Sequence, residues 1–107
     1  MEIGNGKNYV DSVREALSQK IPDANGELLD LYTLLAFVRG SAVTLEDVHD
    51  AWSVWRSRTN PHHKSLIPFG GLAPEVQQLD QKYADAITEV AHAVQGAMPP
   101  GEASCAR

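Results

Sequence analysis

Apolar positions recur at helical spacing in four separate stretches of the chain. Val10, Val13, Leu17 and Ile21 mark one face of a first helix that starts at Asn8 and closes at Pro22. Asp11, three residues after Asn8, makes the start read as a capping box: the Asn side chain accepts from the first turn and the acid returns a bond. Pro22-Asp23-Ala24-Asn25-Gly26 is a turn. Glu27 to Arg39 follows, with apolar Leu28, Leu29, Leu31, Tyr32, Leu34, Leu35, Phe37 and Val38. Asp30 and Thr33 leave it a narrow solvent strip. A helix apolar nearly all round belongs at the centre of a core, and Gly40 behind it fits a left-handed stop.

Thr44 and Asp47 repeat the capping signal before a third apolar stripe, Leu45, Val48, Trp52 and Trp55. Glu46, Asp47 and Asp50 lie toward the positive end of that helix, Arg56 and Arg58 in its last turn. Pro61 disfavours helical dihedrals at Asn60 and ends the helix there. A loop with Pro61, Pro68 and Gly70-Gly71 leads to Pro74, placed for the first turn of a fourth helix. Val76, Leu79, Tyr83, Ile87, Val90 and Val94 give that helix the cleanest stripe of the chain, and Gly96 ends it. The pattern predicts an all-α fold with helices near 8–20, 27–39, 45–59 and 74–96. Residues 8–97 form a single domain between a flexible 1–7 and a mobile tail 98–107. Leu66-Ile67 is apolar enough for a very short hairpin.

Composition narrows the function. The chain has 107 residues and a net charge of −5, which argues against non-specific nucleic-acid binding through a basic face. Its one cysteine, Cys105, permits no internal disulfide, and a reducing cytoplasm is the natural compartment. Met1 to Ser12 holds no apolar run, so no signal peptide is expected. The apolar run Leu31 to Val38 is far too short to span a bilayer, so no membrane partner is expected.

Candidate chemistry gathers in Thr44 to Phe69, which holds both tryptophans and three of the four histidines. His49, Arg56, Arg58, His62, His63 and Lys64 make a basic cluster within an acidic protein. Arginine pairs bidentately with phosphate or carboxylate, and Trp52 or Trp55 offers a stacking face for a base or sugar. The competing reading has Arg56 and Arg58 salt-bridged to acids of neighbouring helices such as Asp80, with both tryptophans mostly core. His49 beside Trp52 reads as a buried-edge histidine holding a loop. No nucleophile elbow, Gly-rich phosphate loop or placed Ser, Thr or Cys accompanies it, so no enzyme is expected. No H-x-x-x-H or C-x-x-C spacing suggests a metal, and no cofactor is expected. Gly70-Gly71 reads as a tight turn rather than a hinge.

The order Val48, His49, Trp52, Arg56, then His63, Leu66, Ile67, Phe69, then Leu72, Pro74, Glu75, Asp80 resembles the RyR domain, the repeat of ryanodine receptors. The resemblance covers residues 44–95. Lys64 stands where that family usually has Pro, and Ser57 to His62 replace a longer family loop. The chain also resembles small proteins of actinobacteria and their phages. The RyR resemblance implies a non-enzymatic binding domain that senses or sequesters an anionic nucleotide-derived molecule, with His49, Trp52, Arg56, Arg58, His63 and Lys64 around the ligand. The shortened loop favours the alternative, a protein-interaction module such as a phage accessory that binds a host protein. RyR repeats occur as pseudo-twofold pairs, which for a single copy implies a homodimer. The apolar second helix gives an independent reason, unless the N-terminal helix covers its excess.

Overall fold

A computed structural model describes residues 8–97. The expectations for 1–7 and 98–107, Cys105 included, lie outside the described residues. Helices α1 (Tyr9–Lys20), α2 (Gly26–Val38), α3 (Leu45–Thr59), α4 (Pro74–Gln77) and α5 (Gln81–Ala97) account for the regular structure, with 3₁₀ turns at Gly40–Ala42, Phe69–Gly71 and Gln78–Asp80. Among the described residues there is no strand. The hairpin expected near Leu66 is absent. The loop there turns on itself instead, Leu66 N–H donating to the His63 carbonyl at 3.1 Å.

Both capping boxes form. Asn8 Oδ1 accepts from Asp11 N–H at 2.9 Å, and Thr44 Oγ1 from Asp47 N–H at 3.0 Å. The Asp47 carboxylate, held by the Thr44 N–H, also takes Arg39 Nε at 2.9 Å, which ties the end of α2 to the start of α3. Gly40 has φ +57 and lets the chain leave α2 in the left-handed region, which costs other residues strain.

α2 is the central helix and packs on α1, α3 and α5. Leu17 and Ile21 from α1 and its cap, Tyr32 from α2, Val48 from α3, and Ile87 and Val90 from α5 are the largest fully buried side chains. Surface pairs Arg14–Asp30 (2.6 Å) and Lys20–Glu89 (2.8 Å) fasten α1 to α2 and α5. Exposed pairs of this kind stabilise little, so apolar burial carries the fold.

Two expectations for α2 change. Thr33 is buried, its hydroxyl donating to the Leu29 carbonyl at 2.8 Å, so only Asp30 faces water on that strip. The uncovered side is apolar instead: Leu34, Phe37 and Val38 are exposed. Tyr9 from α1 meets the Phe37 ring edge-on at 5.4 Å and is itself exposed, so the N-terminal helix covers that side only in part.

The fourth predicted helix is present but interrupted. Its first turn, α4, passes through the 3₁₀ turn Gln78–Asp80 into α5, which runs past Gly96 to Ala97. A 3₁₀ turn winds at three residues instead of 3.6 and shifts the phase of the stripe. Leu79, expected in the core, is 66% exposed, while Tyr83, Ile87 and Val90 return to it. No helix of the described residues is long and apolar enough to cross a membrane.

Candidate functional site

The 3₁₀ interruption borders a cleft. It lies between α3, the loop that follows it, the Gln78–Asp80 turn and the beginning of α2, and has a volume of about 540 Å³. Small-molecule sites commonly occupy roughly 300–1,000 Å³.

α3 supplies one wall. Val48 on the same helix is fully buried, and the residues one and two helical turns on, Trp52, then Trp55 and Arg56, emerge at the rim of the core. The Arg56 guanidinium carbon lies 4.5 Å from the Trp55 ring centre and 5.8 Å from that of Trp52. Nη1 donates to Thr59 Oγ1 at 3.3 Å, while Nε is buried without a hydrogen-bond partner. Among the described residues, no carboxylate pairs with Arg56 or Arg58. The salt-bridge reading of Arg56 with Asp80 is thereby corrected: both line the cleft and do not pair.

His49 is buried and does what a loop-holding histidine does. Its Nε2–H donates to the Ile67 carbonyl at 2.7 Å, because a carbonyl only accepts, and this fixes the neutral tautomer. The ring stacks on Trp52 with centres 5.7 Å apart. His63 closes the loop from the other side: its Nδ1 accepts from Ser65 N–H at 3.0 Å, which leaves Nε2 to carry the hydrogen in the neutral ring. It meets Trp52 edge-on at 5.2 Å. The loop is therefore built around Trp52 by two histidines, and both face the cleft.

The opposite wall comes from Tyr32, Tyr83 and Asp80. The two tyrosine rings lie 5.3 Å apart. Burial pushes both phenols above their ordinary range, with the Asp23 carboxylate adding to the effect at Tyr83. Tyr83 donates its hydroxyl to Asp23, which also takes Lys82 at 3.2 Å. The Tyr83 hydrogen bond, followed by Lys82, holds Asp23 below the usual carboxylate range despite some burial. Asp80 goes the other way. Burial raises its carboxyl above the usual range, an effect that positive charge on His49 would partly offset. Asp80 has neither an ion pair nor a side-chain hydrogen bond among the described residues.

Four of the six residues expected around a ligand meet here: His49, Trp52, Arg56 and His63. Arg58 and Lys64 are exposed and do not line the cleft. They are adjacent to the site in sequence but follow helix and loop to the outside. The sequence carries no site signal for the opposite wall: Tyr32 and Tyr83 show only a core signal in their stripes, and Asp80 enters only as a salt-bridge partner and as the last residue of the RyR-like order. Among the described residues no three His, Cys, Asp or Glu side chains converge as metal ligands.

Comparison with known proteins overturns the RyR resemblance. No RyR family is found, and the family that does match runs from residue 8. It therefore includes α1 and α2, for which the RyR motif has no place. The physical reason lies in α3: Val48, His49, Trp52 and Arg56 follow the spacing that any helix uses to bury one stripe beside a loop-binding histidine. No curated protein and no solved structure matches the chain. Residues 8–92, most of the chain, match the domain of unknown function DUF7701, and the chain belongs to that family.

Proposed function

We propose that this domain is a non-enzymatic binding module that takes a small anionic molecule with a planar ring, of the kind nucleotides provide, into the cleft between α3 and the Gln78–Asp80 turn. The supporting observation is Arg56. It is a permanent cation at an aromatic rim, with Nε buried and unpartnered and no carboxylate among the described residues to neutralise it. A phosphate or carboxylate in the cleft would give this cation a counter-charge and acceptors for its outer N–H groups. Trp52, Trp55, Tyr32 and Tyr83 would supply ring faces. The Ser53 hydroxyl lies 3.3 Å from His49 Nε2, but that nitrogen gives its hydrogen to the Ile67 carbonyl and so offers the hydroxyl no lone pair, which supports a binding rather than a catalytic role.

The test is a thermal-shift and calorimetric screen of nucleoside mono- and diphosphates and cyclic dinucleotides. A ligand that binds only the folded state raises Tm. Arg56→Ala is expected to weaken each hit by about tenfold or more, the effect of losing a hydrogen bond to a charged group. Hits that bind Arg56→Ala as tightly as the wild type would place the anion elsewhere.

A second reading rests on a different face. Leu34, Phe37, Val38 and Tyr9 form an exposed apolar surface, which suits association with another protein, a second copy of the chain first of all. Light scattering behind size exclusion separates the two states, and a mass of about 12 kDa at tens of micromolar would exclude the homodimer.

A further inference from the structure

We propose that the cleft's ligand carries, besides its anionic group, a ring edge with two adjacent N–H donors, the edge that guanine and pterin rings present, and that Asp80 accepts it. This rests on the binding reading above and names the chemistry of the ligand's other end.

The argument starts from what Asp80 lacks. An ionised carboxylate has two oxygens with about four acceptor sites and no donor. Removing it from water is costly unless donors replace the water. Asp80 is half-buried on the cleft wall, beside apolar Val76, Leu79 and Tyr83, and no described side chain serves it. The donors that could reach it are committed elsewhere. Lys82 is bound to Asp23 at 3.2 Å and lies 5.0 Å over the Tyr83 ring. Tyr83 gives its hydroxyl to Asp23. His49 spends Nε2–H on the Ile67 carbonyl. Arg56 rests on the tryptophans across the cleft. The cleft thus holds a guanidinium with no ion-pair partner and a carboxyl that no described side chain hydrogen-bonds, among four aromatic rings of its lining.

A ligand that satisfies both ends needs an anion, a flat body and a donor edge. A carboxylate matches two parallel N–H groups as it matches the fork of a guanidinium. Guanine offers N1–H beside its N2 amine. Hypoxanthine offers N1–H alone. Adenine sets its amine beside a bare ring nitrogen, whose lone pair would face the second carboxylate oxygen. The cleft therefore ranks these rings in that order.

Calorimetric titration of the full chain with guanosine, inosine and adenosine 5′-monophosphates tests this. The expected result is binding of the guanosine compound about tenfold tighter than that of the inosine compound, with the adenosine compound weakest. Asp80→Asn, with its helical content checked by circular dichroism, should remove the guanosine preference. Arg56→Ala should weaken all three in proportion, because it meets the anion and not the ring. Equal affinity of the wild type for all three overturns this inference and leaves the binding reading standing. A guanosine preference that survives Asp80→Asn overturns the role of Asp80. Failure of all three to bind overturns both, since the guanosine compound carries every feature either one requires.

Discussion

The two ends of this small domain are built on opposite terms. Where α1, α2 and α5 meet, Leu17, Ile21, Ile87 and Val90 are sealed from water, and the polar pairs between these helices lie at the surface. Where α3 faces the Gln78–Asp80 turn, Trp52, Trp55, Arg56 and Asp80 are only partly buried, and among the described residues neither Arg56 nor Asp80 has an ion-pair partner. The first region gains its free energy on folding. The second leaves polar groups undersatisfied, a state that a ligand can relieve. Stability and binding are thereby assigned to different residues.

Substitutions in the two regions should therefore differ in size and, at the extreme, in sign. Leu17→Ala removes a fully buried side chain from the sealed region and is expected to cost about 2–5 kcal/mol in urea denaturation. A loss under about 1 kcal/mol would mean that the contact between α1 and α5 is looser than described. Gly40→Ala comes next. Space is not the issue, since an added Cβ would meet Ala91 Cβ at 3.8 Å, but φ +57 is strained for alanine. About 1–2 kcal/mol should be lost in the same assay.

Arg56→Ala, on the cleft side, removes a cation resting on two rings and should cost at most about 1 kcal/mol. A larger loss would make Arg56 a structural residue and weaken the contrast between the regions. Asp80→Asn should reverse the sign. Burial raises the folded-state pKa of Asp80, so the folded state holds the proton more tightly than the unfolded one. Stability then falls as pH rises from the ordinary aspartate range through the raised value. The amide has no charge to desolvate, so the variant should melt higher than wild type at pH 7, with the gap closing in acid. Asp23, whose carboxyl is depressed chiefly by the Tyr83 hydrogen bond, gives the opposite trend: its contribution is present at neutral pH and lost as pH falls. Asp47 behaves like Asp23, because hydrogen bonds from Arg39 and Thr44 outweigh its burial. Melting curves from pH 3 to 8 on Asp80→Asn and Asp23→Asn separate the two trends.

Local chemistry was legible in the residues. Asn8–Asp11 and Thr44–Asp47 cap their helices because a side-chain oxygen three residues before a free N–H is sufficient, whatever packs around it. Pro61 ends α3 and Gly40 ends α2 for reasons contained in one or two dihedrals. The all-α fold follows from the apolar spacing, and His49 as a loop-holding residue from its place at the edge of a stripe.

Other features depended on residues far apart in sequence. Which side of α2 stays uncovered was decided by where α1, α3 and α5 dock, and this placed Thr33 inside and Phe37 outside. The 3₁₀ turn at Gln78–Asp80 shifted the phase of an otherwise regular stripe, exposed Leu79 and brought Asp80 to the cleft. Neighbours along the chain such as Arg58 and Lys64 were left outside, while Tyr32 and Tyr83 entered from other helices. A stripe records which residues leave water together. It does not record which partner they meet, because that depends on the relative placement of whole helices, set by the packing of the complete core.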